Sequence, residues 1–304
     1  MGLIPSNLRL LIYWHKRVGF ESPVLTLGNQ DVWATYDELK SFFTEMECPY
    51  QEPSVIIPHT SSHFTRYWPK ADFVHAKVFF EMLGIRDYLD VDKFNQDKPM
   101  FRHDMNLPIP SELCDKFSLI VDSGTMEHVF DIRQFVSNVI QMSKVGGWVV
   151  HLNPLSSNYI DHGFYSFHPC FFFDFYELNG FDNLSCYILQ VNPQDLFEKC
   201  PHFEYSYGMS FDDLIDPSRI IVVCFMAKKV KSVTQIQIPI QGIYDESRAK
   251  KASEIRAPET YSSLYESYIS SRLQPFLKPV RPLLAHVRKA ILPTPPRYKQ
   301  LKRI

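Results

Sequence analysis

Long apolar runs are missing from this 304-residue chain. None approaches the roughly 18–20 residues that cross a bilayer, so a helical membrane protein is not expected. Arg9, His15, Lys16 and Arg17 break up the apolar residues near the N-terminus, which leaves neither a secretory hydrophobic region nor a cleavage signal. The expectation is a cytoplasmic protein. Cys48, Cys114, Cys170, Cys186, Cys200 and Cys224 form no close pair and no metal-ligand spacing, so a disulfide scaffold is excluded and reduced thiols are expected. No metal site is expected, and no internal repeat is visible. Basic charge is scarce in most of the chain. Of 32 Lys+Arg and 34 Asp+Glu, 13 and 5 lie in residues 245–304, leaving 19 against 29 for residues 1–244. An acidic body argues against nucleic acid as a partner, while the basic tail meets phosphate, an anionic membrane, the body or solvent. With 45% hydrophobic and 14% aromatic residues, one substantial domain with extensions is the natural reading.

What is present is organised around residues 117–151. Phe117-Ser118-Leu119-Ile120-Val121 is an apolar run without alternation, as in a strand covered on both faces, and it ends in Asp122-Ser123-Gly124-Thr125. After Asp131, Ile132, Phe135, Val136, Val139, Ile140 and Met142 recur at helical spacing, and Gly146-Gly147 reads as the helix stop. Trp148-Val149-Val150-His151-Leu152 is a second buried strand. Strand, helix and strand make a βαβ unit, which puts the 122–128 loop at the carboxyl edge where doubly wound sheets bind ligands.

The rest divides into a helical extension over residues 1–23, a domain over 24–230 with insertions at about 47–71 and 192–219, and a basic extension over 231–304. Val24–Leu27 reads as a strand, residues 28–34 as a loop, and Thr35-Tyr36-Asp37-Glu38 as a capping box opening a helix. Pro49, Pro53, Pro58 and Pro69 make residues 47–71 irregular, a candidate lid in which His59 and His63 read as surface residues. A helix is expected from Asp72 to Gly84, then a strand with Asp90 at or near its end, a short strand near 101–106, an aromatic helix over 164–178, and last strands at 184–189 and 220–226.

In this order of elements the chain resembles the class I, Rossmann-like S-adenosylmethionine-dependent methyltransferases over roughly residues 20–230. The resemblance implies an α/β, doubly wound, mostly parallel seven-stranded sheet with helices on both faces. It also implies a cofactor site at Gly28, Asn29 and Gln30 after the first strand, Asp90 after the second, Asp104 and Met105 after the third, and Asp122, Ser123 and Gly124 after the fourth. Glu127-His128-Val129 and Lys144-Val145-Gly146-Gly147 are similar to the Glu-His-Val loop and the L-K-x-G-G turn of small-molecule members. The chain departs from the family at the first loop, where Asn29 and Gln30 stand in place of G-x-G-x-G, and in the long spacing before the second strand.

Methyl transfer from a sulfonium asks the protein to align the acceptor and remove its proton. His128 and His162 are the candidate bases, because imidazole titrates nearest neutrality, and Glu127 beside His128 is a candidate for binding the acceptor. Each of these residues has a structural reading as well, as packing or capping. The implied reaction is O-methylation of a sugar or similar small polar molecule. The rival is a catalytically inactive, methyltransferase-like binding or scaffold protein. The aromatic surplus over 164–176 suits an acceptor pocket or a subunit contact in a homo-oligomer, and the basic tail suits peripheral membrane contact.

Overall fold

Unbroken apolar strands demand cover on both faces, and the computed structural model supplies it. It describes residues 2–59, 61–68, 70–94, 98–156, 161–207, 215–216 and 218–244. In chain order the elements are α1 (Pro5–Val18), β1 (Val24–Leu27), β2 (Asp31–Thr35), α2 (Tyr36–Glu45), α3 (Ser62–Tyr67), β3 (Phe73–His75), α4 (Ala76–Met82) and β4 (Tyr88–Asp92). There follow β5 (Phe101–Arg102), β6 (Phe117–Ser123), α5 (Ile132–Met142), β7 (Ser143–Ser156), α6 (Pro169–Leu178), β8 (Phe181–Val191), β9 (His202–Glu204) and β10 (Ile220–Lys229).

The main sheet runs β5-β4-β1-β6-β7-β10-β8-β9, and β2 pairs with β3 in a separate two-stranded sheet. The first five strands are mutually parallel, whereas β10 lies antiparallel to both of its neighbours. The expected doubly wound, mostly parallel α/β sheet is therefore present with eight strands instead of seven, because β9, inside the 192–219 segment, extends the far edge by pairing with β8. Leu119 and Val121 of β6 and Val150 and Leu152 of β7 join α1, α2 and α4 in one apolar cluster. On the opposite face α6 packs its Phe172 and Tyr176 rings on Phe225 of β10.

Five local expectations change, and the first is the aromatic helix expected over 164–178, which begins only at Pro169, the start of α6. The 28–34 loop contains β2, and the 72–84 helix begins as β3, with α4 starting only at Ala76. α5 stops at Met142 without a glycine cap, and Gly146-Gly147 falls within β7. There Gly146 has φ of 88°, and a Cβ on Gly147 would lie 2.8 Å from the Phe117 carbonyl. The pair therefore serves close approach of β7 to β6. The N-terminal segment is no mere extension: Leu8, Leu11, Ile12 and Trp14 of α1 are core residues, and the Leu3 N–H donates to the Asp31 carbonyl at 2.7 Å. Residues 245–304, including the basic tail, lie outside the described residues.

Candidate active site

The parallel strands β1, β4 and β6 end on one edge, and a cavity of about 390 Å³ opens there between their loops. Gly28 follows β1 with φ of 84°, and a Cβ at this position would meet the Thr125 hydroxyl at 2.8 Å. A side chain is therefore excluded at Gly28 twice, by conformation and by space. Asn29 and Gln30 also line the cavity. The Gln30 amide turns inward and donates to the Leu27 carbonyl at 2.5 Å, occupying space that a glycine would leave open.

The acid at the end of β4 is Asp92, and this corrects the expectation for Asp90. Asp90 sits mid-strand, buried, accepts from the Met100 N–H at 3.2 Å, and is absent from the cavity wall. Burial pushes its carboxyl above the ordinary value. Asp92 is half-buried and lines the cavity. One of its oxygens accepts from Phe94 N–H at 2.8 Å, while the other is 3.5 Å from Asn29 N. A carboxylate with about four lone-pair sites keeps capacity to accept from a diol. The Tyr88-Leu89-Asp90-Val91-Asp92 string holds two acids at the same pleat phase, and of these only Asp92, the last strand residue, reaches the cavity.

Asp104 and Met105 lie on the wall that follows β5. The Lys93 ammonium, 2.8 Å from Asp104, together with the side-chain and backbone N–H groups of Asn106, holds the Asp104 carboxyl down at about 2. Asn138 of α5 donates to the Met105 and Leu107 carbonyls at 3.1 and 2.9 Å, so the helix fixes this loop. Val91, Phe94, Met105 and Val129 also line the cavity and give it apolar surface.

Of the residues expected after β6, Ser123 and Gly124 line the cavity and Asp122 does not. Asp122 is fully buried beneath the loop, a position set by its own contacts. Its Oδ1 accepts the Thr125 and Met126 N–H groups at 3.0 and 3.2 Å, and its Oδ2 accepts from His151 Nδ1 at 2.9 Å and Asn153 Nδ2 at 3.0 Å. The Tyr176 hydroxyl completes the chain, 2.6 Å from His151 Nε2. Asp122 thus shapes the loop and touches no ligand space. His151 and Asn153 were legible only as parts of a strand and a polar loop; their alternation on β7 with Val150 and Leu152 is the signal that marks them.

Glu127, His128 and His162 come together. The Glu127 side chain is 0% exposed, accepts from Asn153 Nδ2 at 3.0 Å, and lies 3.3 Å from His162 Nε2. Burial alone would raise the Glu127 carboxyl, but the His162 and Asn153 hydrogen bonds help bring it below its ordinary value. The His128 ring is 47% exposed, forms part of the cavity wall, and stands edge-on to His162 with centroids 4.8 Å apart. Burial lowers the His128 imidazole, and the Glu127 charge opposes that shift. The His162 loop is docked onto Glu127 by the Phe164 N–H, which donates to the Glu127 carbonyl at 2.7 Å.

Residues of the 47–71 insertion flank a second acid with two histidines. Asp31, on the cavity wall, has His59 Nε2 at 2.9 Å from one oxygen and His63 Nδ1 at 2.9 Å from the other. The His59 side chain is buried, not on the surface as expected, within an aromatic cluster that includes Trp33, Phe64 and Phe73.

No protein-family model matches the chain, and no curated protein matches it significantly. Solved structures that match include a SAM-dependent methyltransferase of Thermotoga maritima described as a possible histamine N-methyltransferase, at 13% identity over 73% of this chain and 89% of that one, with a TM-score of 0.35. A SAM-dependent methyltransferase of Archaeoglobus fulgidus matches at 15% identity over 73% and 94%, with a TM-score of 0.36. The trans-methyltransferase CalH, in complex with SAH, matches at 12% identity over 73% and 55%, with a TM-score of 0.35.

Proposed function

We propose that the chain is an S-adenosylmethionine-dependent methyltransferase that methylates an oxygen of a small polar molecule, a sugar or similar metabolite. The observation that carries this reading is Asp92 at the carboxyl end of β4, set beside the Gly28 turn at the end of β1 on the wall of one cavity. That pairing suits a ribose diol, and the Val91, Phe94 and Met105 surface beside Asp104 suits an adenine ring. At the other end the acceptor hydroxyl attacks the sulfonium methyl. The new C–O bond forms as the C–S bond breaks, its electron pair stays on sulfur, and the hydroxyl proton passes to His128, the imidazole on the cavity wall. Glu127 places a negative charge beside that imidazole, and His162 packs edge-on against its ring.

The scaffold reading is favoured by one feature, the inward Gln30 amide beside Gly28. Calorimetric titration with S-adenosylmethionine and S-adenosylhomocysteine decides between them. Micromolar binding, about −8 kcal/mol, should weaken at least tenfold in Asp92→Asn and stay within about twofold in folded Asp90→Asn. No binding to folded protein at millimolar ligand would leave the scaffold reading.

Two proposals rest on composition and surface alone. Residues 245–304 contact anionic lipid, which co-sedimentation with anionic vesicles at low salt tests. The exposed, edge-on Phe130 and Phe164 pair, 5.6 Å apart, suits an acceptor or a second copy of the chain, and sedimentation velocity with Phe164→Ser tests the latter. No helix among the described residues is long and apolar enough to cross a membrane.

A further inference from the structure

We infer that Glu127, His128 and His162 form a binding site for a divalent first-row transition ion of the Zn²⁺ or Co²⁺ kind. Their ligand atoms all lie within 4.8 Å of one another. Both imidazoles are aimed at the same atom: Nε2 of His162 is 3.3 Å, and Nε2 of His128 4.0 Å, from Oε1 of Glu127. Donors bound to one ion at 2.0–2.1 Å stand about 3.3–3.4 Å apart in tetrahedral geometry, so the His162 spacing is already that of a ligand pair. His128 has further to move, because its Nε2 is 4.0 Å from Oε1 and the three ligand atoms spread to 4.8 Å, and its ring, 47% exposed, has room to turn about its side-chain bonds toward the other two.

Three further features make this a built site instead of a chance cluster. Glu127 is a fully buried carboxylate, which a cation compensates best. Its other oxygen, Oε2, is oriented by Asn153, and Asn153 is itself held by Asp122, the outer-shell support usual for a ligating carboxylate. The loop bearing His162 is locked against Glu127 at Gly163, where φ is 74° and a Cβ would lie 2.8 Å from both the Glu127 carbonyl oxygen and its Cγ. Two loops from different strands are thereby fixed at one point.

Two nitrogens and one oxygen select a borderline ion over Mg²⁺ or Ca²⁺, and three protein ligands leave an open position. His128 lies on the cavity wall, so the open position suits an acceptor oxygen. Only that last role rests on the methyltransferase reading; with an ion bound, His128 is a ligand, and the acidified acceptor hydroxyl gives up its proton to water.

The test uses the full chain dialysed against EDTA and titrated with CoCl₂, followed by visible absorption and calorimetry, with MgCl₂ in parallel. One equivalent of Co²⁺ should bind with a tetrahedral visible band and compete with Zn²⁺, and Mg²⁺ should not displace it. His128→Ala and His162→Ala, checked for folding by circular dichroism, should each weaken binding at least tenfold, and His63→Ala in the lid should not. Absence of binding at millimolar Co²⁺, or equal affinity in His128→Ala, overturns the site. S-adenosylmethionine titration of the same metal-free protein fails or succeeds separately, so loss of the methyltransferase reading and loss of the ion site are told apart.

Discussion

Asp31 and Glu127 are each a carboxylate flanked by two histidines, one of them in each case 47% exposed, yet the two clusters are different devices. At Asp31 the histidines take separate oxygens, and His59 is sealed among Phe64 and Trp33 neighbours. Each contact ties the 59–63 segment to β2, as a latch does. At Glu127 both histidines converge on one oxygen, the other oxygen is anchored from below, and one ring faces open cavity. Residue type does not separate latch from site; the direction of approach does. Divergent donors fasten two segments, and convergent donors leave a common point for a third body.

The largest expected difference comes from exchanging each acid for its amide. Glu127→Gln removes the charge where the donors converge and should lower turnover by about 100-fold. Its affinity for S-adenosylmethionine should change by less than about twofold; a loss confined to cofactor affinity would mean that Glu127 belongs to the wrong end of the cavity. Asp31→Asn should leave turnover within a few-fold and destabilise the fold by about 1–3 kcal/mol, read by urea unfolding. Its pH dependence has a definite sign. Burial alone would raise the Asp31 carboxyl, but hydrogen bonds from His59, Ser61 and His63 outweigh it and lower the value. The stabilisation is therefore complete above the unfolded value of about 3.9 and is lost as pH falls through the folded one. The gap between wild type and Asp31→Asn should narrow below about pH 4; a gap that widens there would contradict the latch. The smallest effect is expected at Gly163→Ala, which pushes the His162 loop off Glu127 at a cost of about 1–2 kcal/mol, with hydrogen exchange rising at 161–164 and unchanged at 59–63.

Much of the frame was legible. The β6 run, the amphipathic α5 and the β10 run each name their element, and the Thr35 to Glu38 capping box forms as read. What failed did so for local physical reasons. Phe73-Val74-His75 is too short to display a strand period, and β2 forms because the Leu3 segment and β3 both pair with it, contacts distant in sequence. Asp90 outranked Asp92 because strand ends are fixed by pairing, and the pairing of Val91 and Asp92 with Phe101 and Arg102 carries β4 two residues further. Glu127, His128 and His162 were singled out individually, but their convergence depends on Gly163 packing against a backbone 36 residues away, which spacing does not encode. Lys229 gave no signal at all: it is buried, and its ammonium donates to the Ile140 and Ser143 carbonyls at 2.8 and 2.6 Å, closing the end of α5.

The alternation along β7 has a bearing on how the chain assembles correctly. Val150 and Leu152 point to the large apolar cluster, while His151 and Asn153, at the intervening positions, meet Asp122 on the other face. A slip of one residue against β6 would turn imidazole and amide into hydrocarbon and set valine and leucine against a buried carboxylate. Each error alone strands a polar group away from any partner. The polar residues that support the candidate site therefore also proofread the alignment of the two central strands, so a misregistered sheet is rejected by the same contacts that shape the Glu127 pocket.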